Sequence, residues 1–276
     1  MNFMYSNKKE LILPLKNSET IVNSLKSIKL LIIAPHFKTF IRGQASLIRP
    51  YLRKMTVLIP IPRFSNIAIS LPYLKRYFRF LRLAIDSGET SRDYDVVFAK
   101  YFTLPIEIIR KRNHHLASKC CMKKLAQNAD FDLIHAHFIH VPGYIGAIFK
   151  SSYNKPFILT AHGGDVYDLP FKSSWYKALT MHILSEADSV ITVSHFNAEK
   201  LLSLGVSPNK LYVIPNGYDE RVFKPIPMAE ARRRLGLPIN RKILISIGNL
   251  VNVKGHSYLI DAMPMILRKR KDILLI

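Results

Sequence analysis

Three stretches hold residue types that can do chemistry. The first is Phe157-Ile158-Leu159-Thr160-Ala161-His162-Gly163-Gly164-Asp165, an apolar run ending in a histidine, two glycines and an aspartate. Its imidazole could hydrogen-bond a reacting centre as charge develops, Asp165 could orient that ring or bind a hydroxyl, and the glycines let a substrate approach the backbone. The competing reading is a satisfied histidine at the end of a strand. The second stretch, His135-x-His137, places two imidazoles on one face of a strand, because side chains alternate. Together with His162 and Asp165 these are the ligand types of a metal-dependent hydrolase, although the usual zinc-ligand spacing is met nowhere else. The third runs from Ile243 to Ala262. A strand ends at Gly248, a short loop holds the single Lys254, and Gly255 opens an amphipathic helix. That order brings an ammonium and backbone N–H groups to the carboxyl edge of a sheet, which is what a diphosphate needs. An ordinary strand-to-helix turn with a surface lysine competes with it.

Such residues act only if the chain gathers them, and the elements around them specify how. Lys29 to Pro35, Met55 to Pro60, Asp95 to Ala99, Phe131 to His137, Pro156 to Ala161, Ser189 to Val193 and Lys210 to Ile214 read as strands. Between them, Gln44 to Leu52, Pro105 to Gln127, Tyr144 to Phe149, Trp175 to Glu186 and His195 to Leu204 read as helices. Ser194 is placed to cap the last helix, and Gly205 to stop it. His36 to Gly43 is expected to be a loop, and residues 1 to about 27 an irregular preamble. Strands alternating with helices specify an α/β fold with a parallel sheet covered on both faces, and ligands of such sheets bind at the carboxyl ends of the strands.

After residue 222 the rhythm restarts. A Pro225-Pro227 linker leads to a short helix from Ala229 to Leu235, a strand from Lys242 to Ile247, a helix from His256 to Arg270 and a strand from Ile273. The expected divisions are 1–27, 28–222 and 223–276. On typical domain sizes the last is incomplete, with on the order of 100 further residues expected.

The formal charge of +22 over 276 residues argues for a polyanionic neighbour: nucleic acid, an anionic membrane surface or a phosphorylated ligand. No nucleic-acid module is recognisable. One predicted helix, Pro72 to Ile85, sets Leu74, Tyr77, Phe78, Leu81 and Ile85 on one face and Lys75, Arg76, Arg79 and Arg82 on the other. A solvated surface helix is the plain reading of it, and contact with an anionic membrane the sharper one. The two cysteines, Cys120 and Cys121, are adjacent and cannot easily bridge, which suits a reducing compartment. No uncharged run reaches the length of a membrane span. There is no G-x-G-x-x-G after the first strand, no P-loop and no G-x-S-x-G elbow.

The stretch around Lys254 resembles the nucleotide-sugar motif of retaining glycosyltransferases of family 4 (group 1), which have two facing Rossmann-like domains, the GT-B arrangement. Asp132 to His137, Thr160 to Asp165, Ala187 to Ser194, and Val213 to Asp219 with Phe223 agree in order and spacing, so the resemblance covers about residues 28 to 276. It implies a Rossmann-like, acceptor-side GT-B N-terminal domain followed by the first part of a second, nucleotide-sugar-binding one. His162 and Asp165 would be catalytic. Gly248, Asn249, Lys254, Gly255, Asn216 and Gly217 would bind the donor, and Arg42, Gly43 and His137 the acceptor. The leaving diphosphate would help to deprotonate the acceptor, with no metal and no cofactor beyond the nucleotide-sugar co-substrate.

The chain departs from the family in three places. Asn249 stands where an arginine usually pairs with the lysine, the first loop is poor in glycine, and the two-glutamate motif would lie beyond Ile276. The resemblance therefore implies little turnover by this chain alone. The acceptor it implies is a lipid-linked or polysaccharide-precursor sugar at the cytoplasmic face, with the protein peripheral at the inner side of the cell membrane. Two rivals stand beside it: the hydrolase using His135, His137, His162 and Asp165, and a non-catalytic remnant or subunit completed by another chain.

Overall fold

The computed structural model describes residues 18–37, 39–63, 94–102, 107–126 and 129–276. They form two units, Met1–Gly217 and Tyr218–Ile276, divided earlier than the position expected after residue 222.

In the first unit seven parallel strands form one sheet in the order β3-β2-β1-β4-β5-β6-β7. They are β1 (Lys29–Ile33), β2 (Lys54–Arg63), β3 (Asp95–Phe102), β4 (Leu133–His137), β5 (Phe157–Ala161), β6 (Ser189–Thr192) and β7 (Leu211–Val213). The helices are α1 (Ser18–Leu25), α2 (Thr39–Ile48), α3 (Glu107–Leu125), α4 (Tyr144–Tyr153), α5 (Gly164–Tyr167), α6 (Ser174–Glu186) and α7 (His195–Ser203). The expected α/β Rossmann-like fold is present.

Continuous apolar strands form because both faces of the sheet are covered. Along β1, Leu30 and Ile32 belong to one core with Phe37, Ile41 and Ala45, while Leu31 and Ile33 belong to another with Ala117, Cys121, Ile134 and Phe149. Ser194 caps α7 as expected, its hydroxyl accepting from the Asn197 amide at 3.2 Å. Both cysteines are free, and burial pushes the Cys121 thiol up to about 12.

Two expectations need correction. The preamble contains α1. The segment His36 to Gly43 is not all loop, since α2 begins at Thr39 and carries Arg42 and Gly43 within it. The reason is the i, i+4, i+8 spacing of Phe37, Ile41 and Ala45, all buried against β1 and β2. The predicted basic helix from Pro72 to Ile85 lies outside the described residues. Among the described residues no helix is long and apolar enough to cross a membrane.

The second unit holds α8 (Met228–Arg234), β8 (Lys242–Leu244), α9 (His256–Lys269) and β9 (Ile273–Leu275). β8 and β9 pair in parallel, Ile243 opposite Leu274. No side chain of this unit is fully buried, and Ile247, Leu250 and Val253 are exposed. A two-stranded sheet without a core is marginal. Amides of β8 and β9 are therefore expected to exchange with solvent at least ~100-fold faster than those of β1 and β4. Equal protection in hydrogen-exchange mass spectrometry would contradict this.

Candidate active site

β1 lies between β2 and β4, and the chain leaves it in opposite directions on its two sides. This is the topological switch point, where the loops after neighbouring strands part and leave a crevice for ligands. The segments after β1, β4 and β5 meet there and bring together His36, Phe40, His137, Phe138 and His162. The His162 ring lies 4.4 Å from Phe138 and 4.8 Å from Phe40, centroid to centroid. It stacks on His137 at 5.4 Å and 19°, and His162 Nε2 is 3.2 Å from His137 Nδ1. His135 and His137 share a strand face, as expected, with centroids 4.4 Å apart. His135 Nε2 is 2.8 Å from Thr160 Oγ1. Nδ1 of His162 is buried and has no protein partner.

Burial governs the charge of these rings. It lowers His135 and His162 to about 4, the latter helped by His135 and His36. It lowers His137 too, with smaller contributions from His135, His162 and His36. His135, His137 and His162 are therefore neutral at pH 7 and work through hydrogen bonds rather than charge.

Asp165 sits under the cluster, only 5% exposed. Oδ1 accepts from the amides of Gly163 at 2.7 Å and His162 at 3.1 Å, and Oδ2 from that of Ile139 at 3.0 Å. Burial raises its carboxyl pKa, and these amides oppose the shift. The carboxylate thus ties the loop after β5 to the loop after β4. It bonds to no side chain of the cluster, so the expectation that it orients the His162 ring is corrected to one of orienting backbone. The tie holds two unusual conformations. Phe138 has φ 75° and Gly163 φ 150°. Phe138 is pinned further by its amide to Thr160 O at 2.8 Å and its carbonyl to Gly143 N at 3.0 Å. Strain of this kind persists only where surroundings enforce it. Glycine is needed at 163 because φ is positive there and a Cβ would meet the Tyr167 ring at 3.3 Å.

The expected acceptor residues fare unevenly. His137 is 2% exposed and faces His162. Arg42 donates from Nε to the Tyr94 hydroxyl at 3.1 Å. Gly43 lies on the exposed side of α2, where an added Cβ would meet nothing. Of the expected donor residues, Asn216 accepts from Gln44 Nε2 at 3.3 Å and Gly217 is exposed.

The remaining donor residues lie in the second unit. Gly255, φ 68°, precedes α9 directly, and Asn252–Lys254 forms one turn of 3₁₀ helix. Gly248 lies against His256 and Lys254, a Cβ there coming 3.3 Å from His256 Nε2. Asn249 and Lys254 are exposed at this strand-end loop. Ser246 Oγ holds His256 Nδ1 at 2.8 Å. The loop presents backbone and one ammonium together, the chemistry of an anion site.

Sequence reasoning missed His36, Phe40 and Phe138. Each follows β1 or β4, but only the strand order reveals that those ends are neighbours. The hydrolase reading finds no support: Asp165 is spent on amides, His135 on Thr160 and His137 on His162. Among the described residues no three His, Cys, Asp or Glu side chains are grouped to hold a metal ion.

Comparison with known proteins agrees with this architecture. Residues 83–222 match the model of the family described as Glycosyltransferase Family 4. The Bacillus subtilis protein TuaC, named as a teichuronic acid biosynthesis glycosyltransferase, is 30% identical over 165 residues, 59% of this chain and 42% of that protein. A D-inositol 3-phosphate glycosyltransferase of Acidothermus cellulolyticus is 29% identical over 144 residues, 48% of this chain and 31% of that protein. The chain thus spans less than half the length of these relatives. Among solved structures, Anabaena Alr3699/HepE in complex with UDP superposes with a TM-score of 0.59 at 18% identity, over 86% of this chain and 58% of that one. Sucrose-phosphate synthase from Thermosynechococcus elongatus gives 0.59 at 15% identity, over 90% and 70%. These two share the fold, and the family match covers half of the sequence: the chain belongs to Glycosyltransferase Family 4.

Proposed function

We propose that this chain serves transfer of a sugar from a nucleotide-sugar donor to a lipid-linked or polysaccharide-precursor acceptor, with retention of configuration. The observation that carries the reading is the neutral imidazole cluster at the switch point of a family 4 sheet. UDP and UDP-glucose in the HepE complexes support a nucleotide-sugar donor, and the name of TuaC supports a cell-envelope polysaccharide.

In this reading the Lys254 loop binds the donor diphosphate, with Gly248, Asn249 and Gly255 giving it close backbone. His162 hydrogen-bonds the reacting sugar once Phe40 and Phe138 give it room. The bond from the anomeric carbon to the diphosphate oxygen breaks, and a bond to the acceptor oxygen forms on the same face. The acceptor proton passes to the departing diphosphate. No step calls for a metal or cofactor.

The test is incorporation of labelled sugar into envelope lipid, from a panel of nucleotide sugars, after adding the chain to envelope extract. His162→Ala should reduce incorporation per folded molecule at least ~10-fold, the loss of about one buried substrate hydrogen bond. The resemblance implies little turnover by this chain alone, so the comparison is made in a chain extended to the full length of a family 4 relative; equal incorporation by the variant there counts against the reading.

The charge of +22 supports a peripheral position at the cytoplasmic side of the membrane. Each basic residue near such a surface contributes on the order of 1 kcal/mol. The chain is expected to sediment with anionic vesicles at low salt and to be released by high salt. Equal sedimentation with neutral vesicles would contradict the electrostatic account.

A further inference from the structure

We infer that His137 is a positioning residue that fixes the tautomer of His162, so that His162 carries its proton on Nε2 and a lone pair on Nδ1. The two rings are 3.2 Å apart at Nε2 and Nδ1 and nearly parallel. Both are neutral at pH 7, so a hydrogen bond between them needs one N–H and one lone pair. Two arrangements satisfy that bond, and they differ in what they leave at Nδ1 of His162. If His137 donated, Nδ1 of His162 would be an N–H, buried and without a protein acceptor. The rings of Phe40 and Phe138, packed against the His162 ring, offer no lone pair. If His162 donates, Nδ1 is a lone pair. Both forms leave an unmet polar atom, but as with backbone groups, orphaned buried N–H donors are rarer than under-satisfied acceptors.

His137 is suited to hold the arrangement. It is the last residue of β4, an internal strand hydrogen-bonded to β1 and β5, with Thr160 directly opposite it. Its side chain is buried and stacked, so its Nδ1 is fixed in space.

The consequence is chemical and rests on the transferase reading. A lone pair at Nδ1 accepts from a hydroxyl and has nothing to give a phosphate oxygen. When the phenyl rings yield, His162 selects a sugar hydroxyl rather than an anionic group.

The test is nitrogen NMR on the chain labelled with 15N-histidine, with His162 assigned from the signals lost in His162→Gln. At pH 7, Nε2 of His162 should resonate as a protonated nitrogen and Nδ1 as an unprotonated one. A through-hydrogen-bond coupling should join Nε2 to Nδ1 of His137. In His137→Phe the stack survives without the acceptor, and the Nε2 signal should move toward the average of the two tautomers. His137→Asn, whose side-chain oxygen reproduces the Nδ1 position, should return it to the wild-type value. A proton on Nδ1 in the wild type, or an unchanged His162 spectrum in His137→Phe, would overturn the inference. The wild-type spectrum decides alone if His137→Phe does not fold. None of these signals depends on turnover, so failure of the transferase reading would be seen separately.

Discussion

Replacing Asp165 with alanine is expected to cost the first unit roughly 3–5 kcal/mol, a large effect for a residue outside the apolar core. The carboxylate accepts three backbone amides, from Ile139, His162 and Gly163, and is buried. Alanine leaves all three donors without their acceptor, where water cannot replace it fully. The strained Phe138 turn then loses its tie to the loop after β5. Asp165→Asn keeps one carbonyl oxygen but turns the other position into a donor facing amides, so it should lose about half as much. The chain has a single tryptophan, Trp175, on α6 of the first unit. Its fluorescence in urea reports that unit's unfolding. A cost below about 1 kcal/mol for Asp165→Ala would show that the loops hold without the anchor.

Acid should weaken the same unit. Burial lowers His135 and His162 to about 4 and His140 to about 3 in the folded chain. Unfolded histidines titrate at about 6.5. Between pH 4 and 6.5 the unfolded state therefore binds more protons than the folded one, and stability rises with pH across that window. The stabilisation is fully present above about pH 6.5 and is lost as pH falls. At pH 5 each of the three contributes a loss on the order of 1–2 kcal/mol. His135 and His162 influence each other, and the raised carboxyl of Asp165 works in the opposite direction, so the losses do not simply add. Unfolding free energies from urea titrations at pH 7 and pH 5 should differ by several kcal/mol, with the lower stability at pH 5. Equal or greater stability at pH 5 would contradict the burial of these rings.

What was legible in the sequence divides along physical lines. Strands β4, β5 and β6 were legible because each is a short apolar run bounded by polar turns. The Ser194 cap and Gly255 were legible because they act on their immediate neighbours. The start of α2 was hidden because His36, Lys38 and Arg42 interrupt the Phe37, Ile41, Ala45 stripe. His162 was singled out from its own strand end. His36, Phe40 and Phe138 beside it were not, because the meeting of β1 with β4 is a pairing between strands about 100 residues apart, decided by the whole sheet. The part played by Asp165 was hidden for a related reason. Its partners are backbone amides, which every residue carries, and only the folded loops say which ones it meets.

The central claim is that a nucleotide-sugar site exists, and calorimetric titration with nucleoside diphosphates and their sugars tests it most directly. The account predicts that the chain binds at least one of them. It also predicts that Lys254→Ala weakens that binding about tenfold, or about 1.4 kcal/mol, through loss of one charge-assisted contact to the diphosphate. Absence of binding across the panel, or affinity unchanged by Lys254→Ala, would contradict it.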